Sequence, residues 1–324
     1  MRTISYTARH AVCLSAAATM LAACSAAQPA LNPAAPAQRS ASIRAHRATS
    51  GDLLYVGGTH TVNVLTYPGF ASQGTFKTQG AVSAICSDAS GNVFVTQAPK
   101  KSSSDGTGYV DEYAHGGTTP IATLHVPSGE MPMSCASDPV SGNLAVTMQS
   151  NASYAPSVAI YAGASGTPNV VTSSVLGADP QCGYDGSGNL LVSSGDNVAA
   201  EIPAGKSSFK TITFNRTLGN ARHLQWDGTY WALQAFNLRQ HNGEKLWERV
   251  FRLQVSGSTA KVVGTVEFKN WPEKVSGSSW IDGDSILATP YSELVTWKYP
   301  DGGKITNKVQ LSSHMAAVTV SVGG

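Results

Sequence analysis

Four short clusters carry the side chains with most chemical capacity: Glu130 with Met131 and Met133, Asp179 with Gln181, Arg222 with His223, and His314 with Met315. Two imidazoles, two carboxylates and a guanidinium brought to one place could hold an anion or a metal ion, or move protons. A fifth candidate is Trp247. It lies in the charged segment Arg239-Gln-His-Asn-Gly-Glu-Lys-Leu-Trp247-Glu-Arg249, where an indole could meet a flat ligand or a sugar. These residues are far apart in the chain, so they form a site only if the fold gathers them.

Other chemistries find less support. No Gly-x-Ser-x-Gly elbow occurs, and no grouping of Ser, His and acid stands out, which argues against nucleophilic hydrolysis. Gly-rich loops opening helices, the usual phosphate cradle, are absent. Calcium wants about six oxygen ligands, and Glu130 and Asp179 are the only obvious carboxylates in the clusters. No cofactor is implied. A formal net charge of +2, with nothing more basic than Lys100-Lys101, gives no phosphate-binding face and excludes nucleic acid as the partner.

The elements that would position these residues are written as a repeat. Ala84-Ile-Cys-Ser-Asp88-Ala-Ser-Gly91-Asn92-Val93-Phe-Val95 joins two short apolar runs through an Asp-to-Gly-Asn turn. Cys135-Ala-Ser-Asp138-Pro-Val-Ser-Gly142-Asn143-Leu144-Ala-Val146 and Cys182-Gly-Tyr-Asp185-Gly-Ser-Gly188-Asn189-Leu190-Leu-Val192 repeat the statement. Degenerate copies sit around Asp227-Gly228 and Asp282-Gly283. Each turn aspartate stands beside turn residues, so an Asx cap accounts for it better than a row of metal carboxylates does.

A second signal runs in parallel, a strand followed by a Gly/Pro turn, as in Val64-Leu-Thr-Tyr67-Pro-Gly69, Val158-Ala-Ile-Tyr161-Ala-Gly163 and Val295-Thr-Trp-Lys-Tyr299-Pro-Asp-Gly302. Four short strands in each period of 42 to 55 residues match the length of a propeller blade. Gly 32, Pro 16 and a charged fraction of 13% agree with an all-β body, and no stretch after residue 50 sustains a helical period. Residues 51–324 are therefore predicted to form a six-bladed β-propeller of four-stranded antiparallel blades. The tail Met315-Ala-Ala-Val-Thr-Val-Ser321 supplies the strand that the opening Asp52-Leu-Leu-Tyr-Val56 lacks, closing the ring. The four clusters each precede or open the first strand of a repeat, which would bring them to one mouth of the central channel.

Three cysteines fall in the body, Cys86, Cys135 and Cys182, all in the strand leading to an Asp turn. The first reading is three small buried hydrophobes; a disulfide between neighbouring repeats and a metal or catalytic role stand behind it. No His is spaced to complete a zinc site with them.

The N-terminus is processing information. Arg2 and Arg9 precede a short apolar segment ending in Leu21-Ala22-Ala23-Cys24, which resembles the lipobox of bacterial lipoproteins. The resemblance implies a signal peptide over 1–23, removal of that peptide, and acyl chains such as palmitate on Cys24 that hold the protein at a membrane. Ser25, where Asp would signal inner-membrane retention, points to the outer membrane in a cell that has two. Residues 24–50, rich in Ala, Pro and Ser, read as a disordered tether.

The three clear turns resemble NHL-type propeller repeats, and Leu54-Tyr-Val-Gly-Gly-Thr-His-Thr-Val62 resembles the related YVTN repeats. The likeness spans most of residues 51–321, departing where Thr229-Tyr230 and Asp284-Ser285 replace Gly-Asn. The whole is similar to bacterial lipoproteins carrying such a propeller. The resemblance implies a monomeric binding or scaffolding module of the cell envelope, with a protein, glycan or small molecule at the mouth. Because related folds host such enzymes, a metal-dependent hydrolase or lyase of lactonase type at the same mouth is the alternative.

Overall fold

The computed structural model describes residues 51–99, 106–237, 247–269, 277–311 and 315–323. Cys24, the signal segment, the tether, Lys100-Lys101, residues 238–246 and His314 lie outside the described residues. Apart from one 3-10 turn at Ala162–Ala164, the described elements are strands. In chain order they are β1 (Leu53–Gly58), β2 (Thr61–Thr66), β3 (Ser72–Lys77), β4 (Val82–Ser87), β5 (Val93–Gln97), β6 (Tyr109–Tyr113), β7 (Ala122–His125), β8 (Glu130–Ser137), β9 (Leu144–Ser150), β10 (Pro156–Tyr161), β11 (Asn169–Val171) and β12 (Gln181–Tyr184). There follow β13 (Leu190–Gly195), β14 (Val198–Ile202), β15 (Lys210–Phe214), β16 (Asn220–Trp226), β17 (Trp231–Asn237), β18 (Trp247–Ser256), β19 (Thr259–Glu267), β20 (Ser279–Asp282), β21 (Ser285–Ala288), β22 (Glu293–Lys298), β23 (Gly302–Gln310) and β24 (Met315–Ser321).

The expected six separate four-stranded blades do not form. The described strands make five sheets: four of four strands, and one of eight in the order β12-β13-β14-β15-β19-β18-β17-β16. In the large sheet β15 joins β19 in parallel through Thr213↔Thr259 and Phe214↔Ala260. Thr213 N donates to Ser258 O at 2.9 Å and Asn215 N to Ala260 O at 3.0 Å, while the Asn215 amide oxygen accepts from Val262 N. Two outer edges that would otherwise show unpaired backbone groups satisfy each other in this way. A single further pairing, Gly195 with Asn220, closes β13 to β19 into a seven-stranded ring. Glycine is needed there: Gly195 has φ 102°, and a Cβ on it would lie 2.0 Å from Gly219 O. A repeat pattern shows where strands run, but it does not show which outer edges meet.

The first and last described strands pair directly. β24 lies antiparallel against β1 with Leu54↔Val320 and Val56↔Val318, all four fully or almost fully buried. Flanking bonds hold the seam: Gly323 N donates to Asp52 Oδ1 at 2.9 Å, Ser87 Oγ to Val320 O at 2.7 Å and Ser321 Oγ to Gly91 O at 2.5 Å. The strands β4, β8, β12, β16, β20 and β24 contact one another in that order, and β24 returns to β4. They surround a channel.

The turn aspartates are caps. Asp88 Oδ1 accepts from Ser90 N (2.9 Å) and Asn92 N (2.8 Å), and Asp185 Oδ1 from Ser187 N and Asn189 N (both 2.9 Å). Asp138 Oδ1 accepts from Val140 N at 2.9 Å, and its other oxygen accepts from Ser141 Oγ. The copy at Asp227 keeps the device with a shorter turn, and the copy at Asp282 makes a tight hairpin. Asp227 Oδ1 accepts from Thr229 N and Tyr230 N, and Gly283, at φ 55°, lets Asp282 pair with Ser285 across a two-residue loop. Asp227 also reaches beyond its turn: its Oδ2 accepts from Arg252 Nε at 2.9 Å and from Tyr299 Oη at 2.5 Å, tying β22's end to the preceding repeat.

For two of the three body cysteines the first reading is corrected. Cys86 and Cys135 form a disulfide between the inner strands β4 and β8, while Cys182 is a buried free thiol whose pKa burial pushes up to about 12. Cys135 precedes its turn Asp by three residues and Cys86 by two, and in a strand that one-residue offset reverses the face. The two thus point at each other across neighbouring sheets. Two tests follow from this connectivity. Denatured protein without reductant should expose one reactive thiol per body. The double variant Cys86→Ser/Cys135→Ser should lose about 2–4 kcal/mol of unfolding free energy in urea titration; three reactive thiols, or unchanged stability, would contradict the bridge.

Candidate functional site

At the end of the channel where the inner strands begin lies a cavity of about 640 Å³. Its walls owe their form to β-bulges. Against their partner strands, β4, β8, β16 and β24 each carry one extra residue: Ser83, Met133, Arg222 and Ala316. All four line the cavity. A bulge leaves one residue unpaired and re-aims it, so the same local defect repeated round the ring turns four side chains to one space. Neighbouring strands brace the defect. Thr96 Oγ1 accepts from Ala84 N at 2.8 Å and donates to Ala84 O at 3.1 Å, and Thr147 Oγ1 lies 3.5 Å from Ser134 O, just past the β8 bulge, while donating to Pro180 O at 2.6 Å.

Three of the sequence-selected residues meet here. Asp179, Arg222 and His223 all line the cavity, with Gln181 and Met133 from the same clusters. Asp179 is exposed and held at φ 53°, and its carbonyl accepts from the Gln181 side-chain amide at 3.2 Å. The Arg222 guanidinium lies 4.1 Å from the centre of the Phe236 ring, and its Nε is buried without a partner. His223 stands deeper, with Nε2 buried and unpartnered, and burial lowers its pKa to about 4, leaving the imidazole neutral at pH 7.

The other candidates lie elsewhere. Glu130 opens β8 but is not on the cavity wall; its Oε2 accepts from Ser157 Oγ at 3.3 Å, and burial raises its pKa while that bond opposes the rise. Trp247 packs within its own sheet, edge-on to Phe251 at 5.8 Å, against Gly219, and under Arg249 at 5.1 Å. It is not on the wall either. His314 cannot be assigned to the mouth because it lies outside the described residues. Among the described residues, no group of three or more His, Cys, Asp or Glu is arranged to hold a metal ion.

Two acidic residues escaped the sequence reading. Asp196, in the β13–β14 turn at φ 56°, also lines the cavity. Its place after a second strand was the available signal. Glu248 lies behind the wall, 6% exposed; one oxygen accepts from the Gln234 amide, and the other is buried without a partner. Burial raises its pKa to about 7, with the Gln234 bond and the Arg222 charge opposing. Strand alternation puts Glu248 on the face of Val250, which is buried, and so marked it as inward-facing.

No protein-family model and no curated protein sequence matches the chain. Solved structures do. A protein of unknown function from Bacteroides caccae superposes with a TM-score of 0.58 at 9% identity, over 84% of this chain and 99% of its own. The β-propeller domain of Cps50 (Swd1) from Myceliophteria thermophila gives 0.53 at 12% identity, over 84% of this chain and 88% of its own. The described body therefore has a β-propeller fold, with two of its repeats merged in one sheet as set out above. At these identities the likeness concerns the fold alone.

Glu248 makes a pH test possible. Below about pH 4.5 both folded and unfolded chains hold its proton; between there and about pH 7 only the folded chain does, so its contribution to stability declines as pH rises and stays low above. Glu248→Gln should remove that slope, worth on the order of 2–3 kcal/mol. Urea unfolding of wild type and variant at pH 5 and pH 8 checks it, and parallel pH profiles would contradict the assignment.

Proposed function

We propose that the protein is an exported, lipid-anchored β-propeller that acts as a binding or scaffolding module at the cell envelope, holding a small polar ligand, glycan or protein segment in the mouth cavity. The observation that carries this reading is the mouth itself, where one cation, two exposed carboxylates and a neutral imidazole share a space of about 640 Å³. That volume falls within the usual range for ligand pockets, and a few polar groups among shaped walls are what orients a ligand. The NHL-like turns and the Leu21-Ala22-Ala23-Cys24 motif support the repeat kinship and the anchor. Among the described residues nothing favours the metal-dependent hydrolase or lyase, since Glu130 does not line Asp179's cavity.

Two experiments test the proposal. Cys24→Ala should move the protein from the membrane fraction to the soluble exported fraction; continued membrane association would refute the anchor. A glycan array and a pull-down from solubilised envelope should each be run with wild type and with an Arg222→Met, Asp179→Ala variant. Retention of a specific partner by wild type, weakened about tenfold or more in the variant, is expected. Equal retention by both would remove the mouth from the account.

A further inference from the structure

The channel has a second end. Where the inner strands run into the Asp turns lies a cavity of about 380 Å³, separate in composition from the mouth. His223 and Cys135 line both spaces, and so mark the waist between them. Around the inner ring, β12, β16 and β20 are consecutive. Each contributes one half-buried aromatic residue to this wall: Tyr184, Trp226 and Trp280. The facing strands β24, β4 and β8 contribute aliphatic residues, the Cys86–Cys135 bridge and, at the end of β4, Asp88. Among the described residues Asp88 is the only carboxylate on the wall, and no Lys or Arg lines it.

The chemistry of that wall selects a ligand class. Aromatic faces carry negative potential and attract a cation placed over them, most strongly when the cation is poorly hydrated. Asp88 adds a negative charge opposite, and its orientation is fixed: its oxygens accept from Ser90 N, Asn92 N and, at 3.2 Å, the Asn92 side-chain amide. Two of the polar side chains on the wall are already committed. Gln225 spends its amide on Ile281, donating to its O and accepting from its N, both at 2.8 Å, and Ser87 Oγ donates to Val320 O. An alkylated ammonium needs faces and a counter-charge rather than donors, and this wall supplies both. We infer that the turn-side end of the channel, walled by Tyr184, Trp226 and Trp280 with Asp88 opposite, is a binding site for a small quaternary ammonium group.

The probe is choline, with its uncharged isostere 3,3-dimethylbutan-1-ol, titrated calorimetrically into the full chain. Choline should give a saturable isotherm, and the isostere should bind about tenfold or more weakly, because it keeps the shape and loses the charge. Trp280→Ala should weaken choline by a similar factor. Asp88→Asn, which retains the Oδ1 acceptor of the turn, should weaken choline and leave the isostere unchanged. Should the Trp280 variant fail to melt cooperatively, Tyr184→Leu takes its place with the same expected loss. No saturable choline binding, equal affinity for the two probes, or wild-type affinity in a folded aromatic variant would each overturn the proposal.

Discussion

The seam between β24 and β1 is the constraint on which the molecule depends. β24 is an inner strand, touching both β20 and β4, yet it belongs to the sheet begun at the other end of the body. Until the last residues arrive, the first sheet lacks its innermost strand and the channel lacks part of its wall. Burial of Leu54, Val56, Val318 and Val320 drives the union, and the bonds from Gly323 to Asp52 and from Ser321 to Gly91 fix its register. Each cavity takes lining residues from β24 or its end: Ala316 at the mouth, Val320 at the far side. The same pairing that removes an exposed edge therefore completes both candidate sites.

Within that frame, function is prepared by small local devices repeated round the ring. At one end a bulge in four inner strands turns a residue towards the axis, and a strand hydroxyl braces it in two of them. At the other end a capping aspartate closes the hairpins at Asp88, Asp138, Asp185 and Asp227. Where a repeat departs from the consensus, the departure is used: Asp227 serves a shorter turn and has a free oxygen for Arg252 and Tyr299, so a turn cap becomes a tie between repeats. The Cys86–Cys135 bridge adds a covalent tie between inner strands close to the waist. Arg222 shows the energetic compromise of the site. Its charge faces the cavity mouth while burial opposes it, and the Phe236 ring and nearby Glu248 and Asp179 offset that opposition.

Much of this was legible in the residues, for reasons that are local. The Asp-to-Gly-Asn spacing specifies a hairpin with an Asx cap whatever surrounds it, so Asp88, Asp138 and Asp185 are the turn caps expected. Position at the start of a repeat's first strand was enough to bring Asp179, Arg222 and His223 to one cavity. What failed depended on non-local contacts or on the face of a strand. The merging of β15 with β19 joins edges that no single repeat encodes, so six separate blades were expected where the described strands form five sheets. Trp247 stands on the strand face that packs on Phe251, and Glu130 lies three residues before the bulge at Met133, out of reach of the wall. The disulfide between neighbouring repeats stood second to burial in the sequence, because its decisive signal, the one-residue offset of Cys86 relative to Cys135, acts through the face of a strand.

The most direct measurement is the unfolding of a chain ended after Leu311, compared with the intact protein by near-ultraviolet circular dichroism and urea titration. If ring closure by β24 organises the body, the shortened chain should lose its cooperative transition and the aromatic signal of a fixed interior. A transition of unchanged midpoint and steepness would contradict the account.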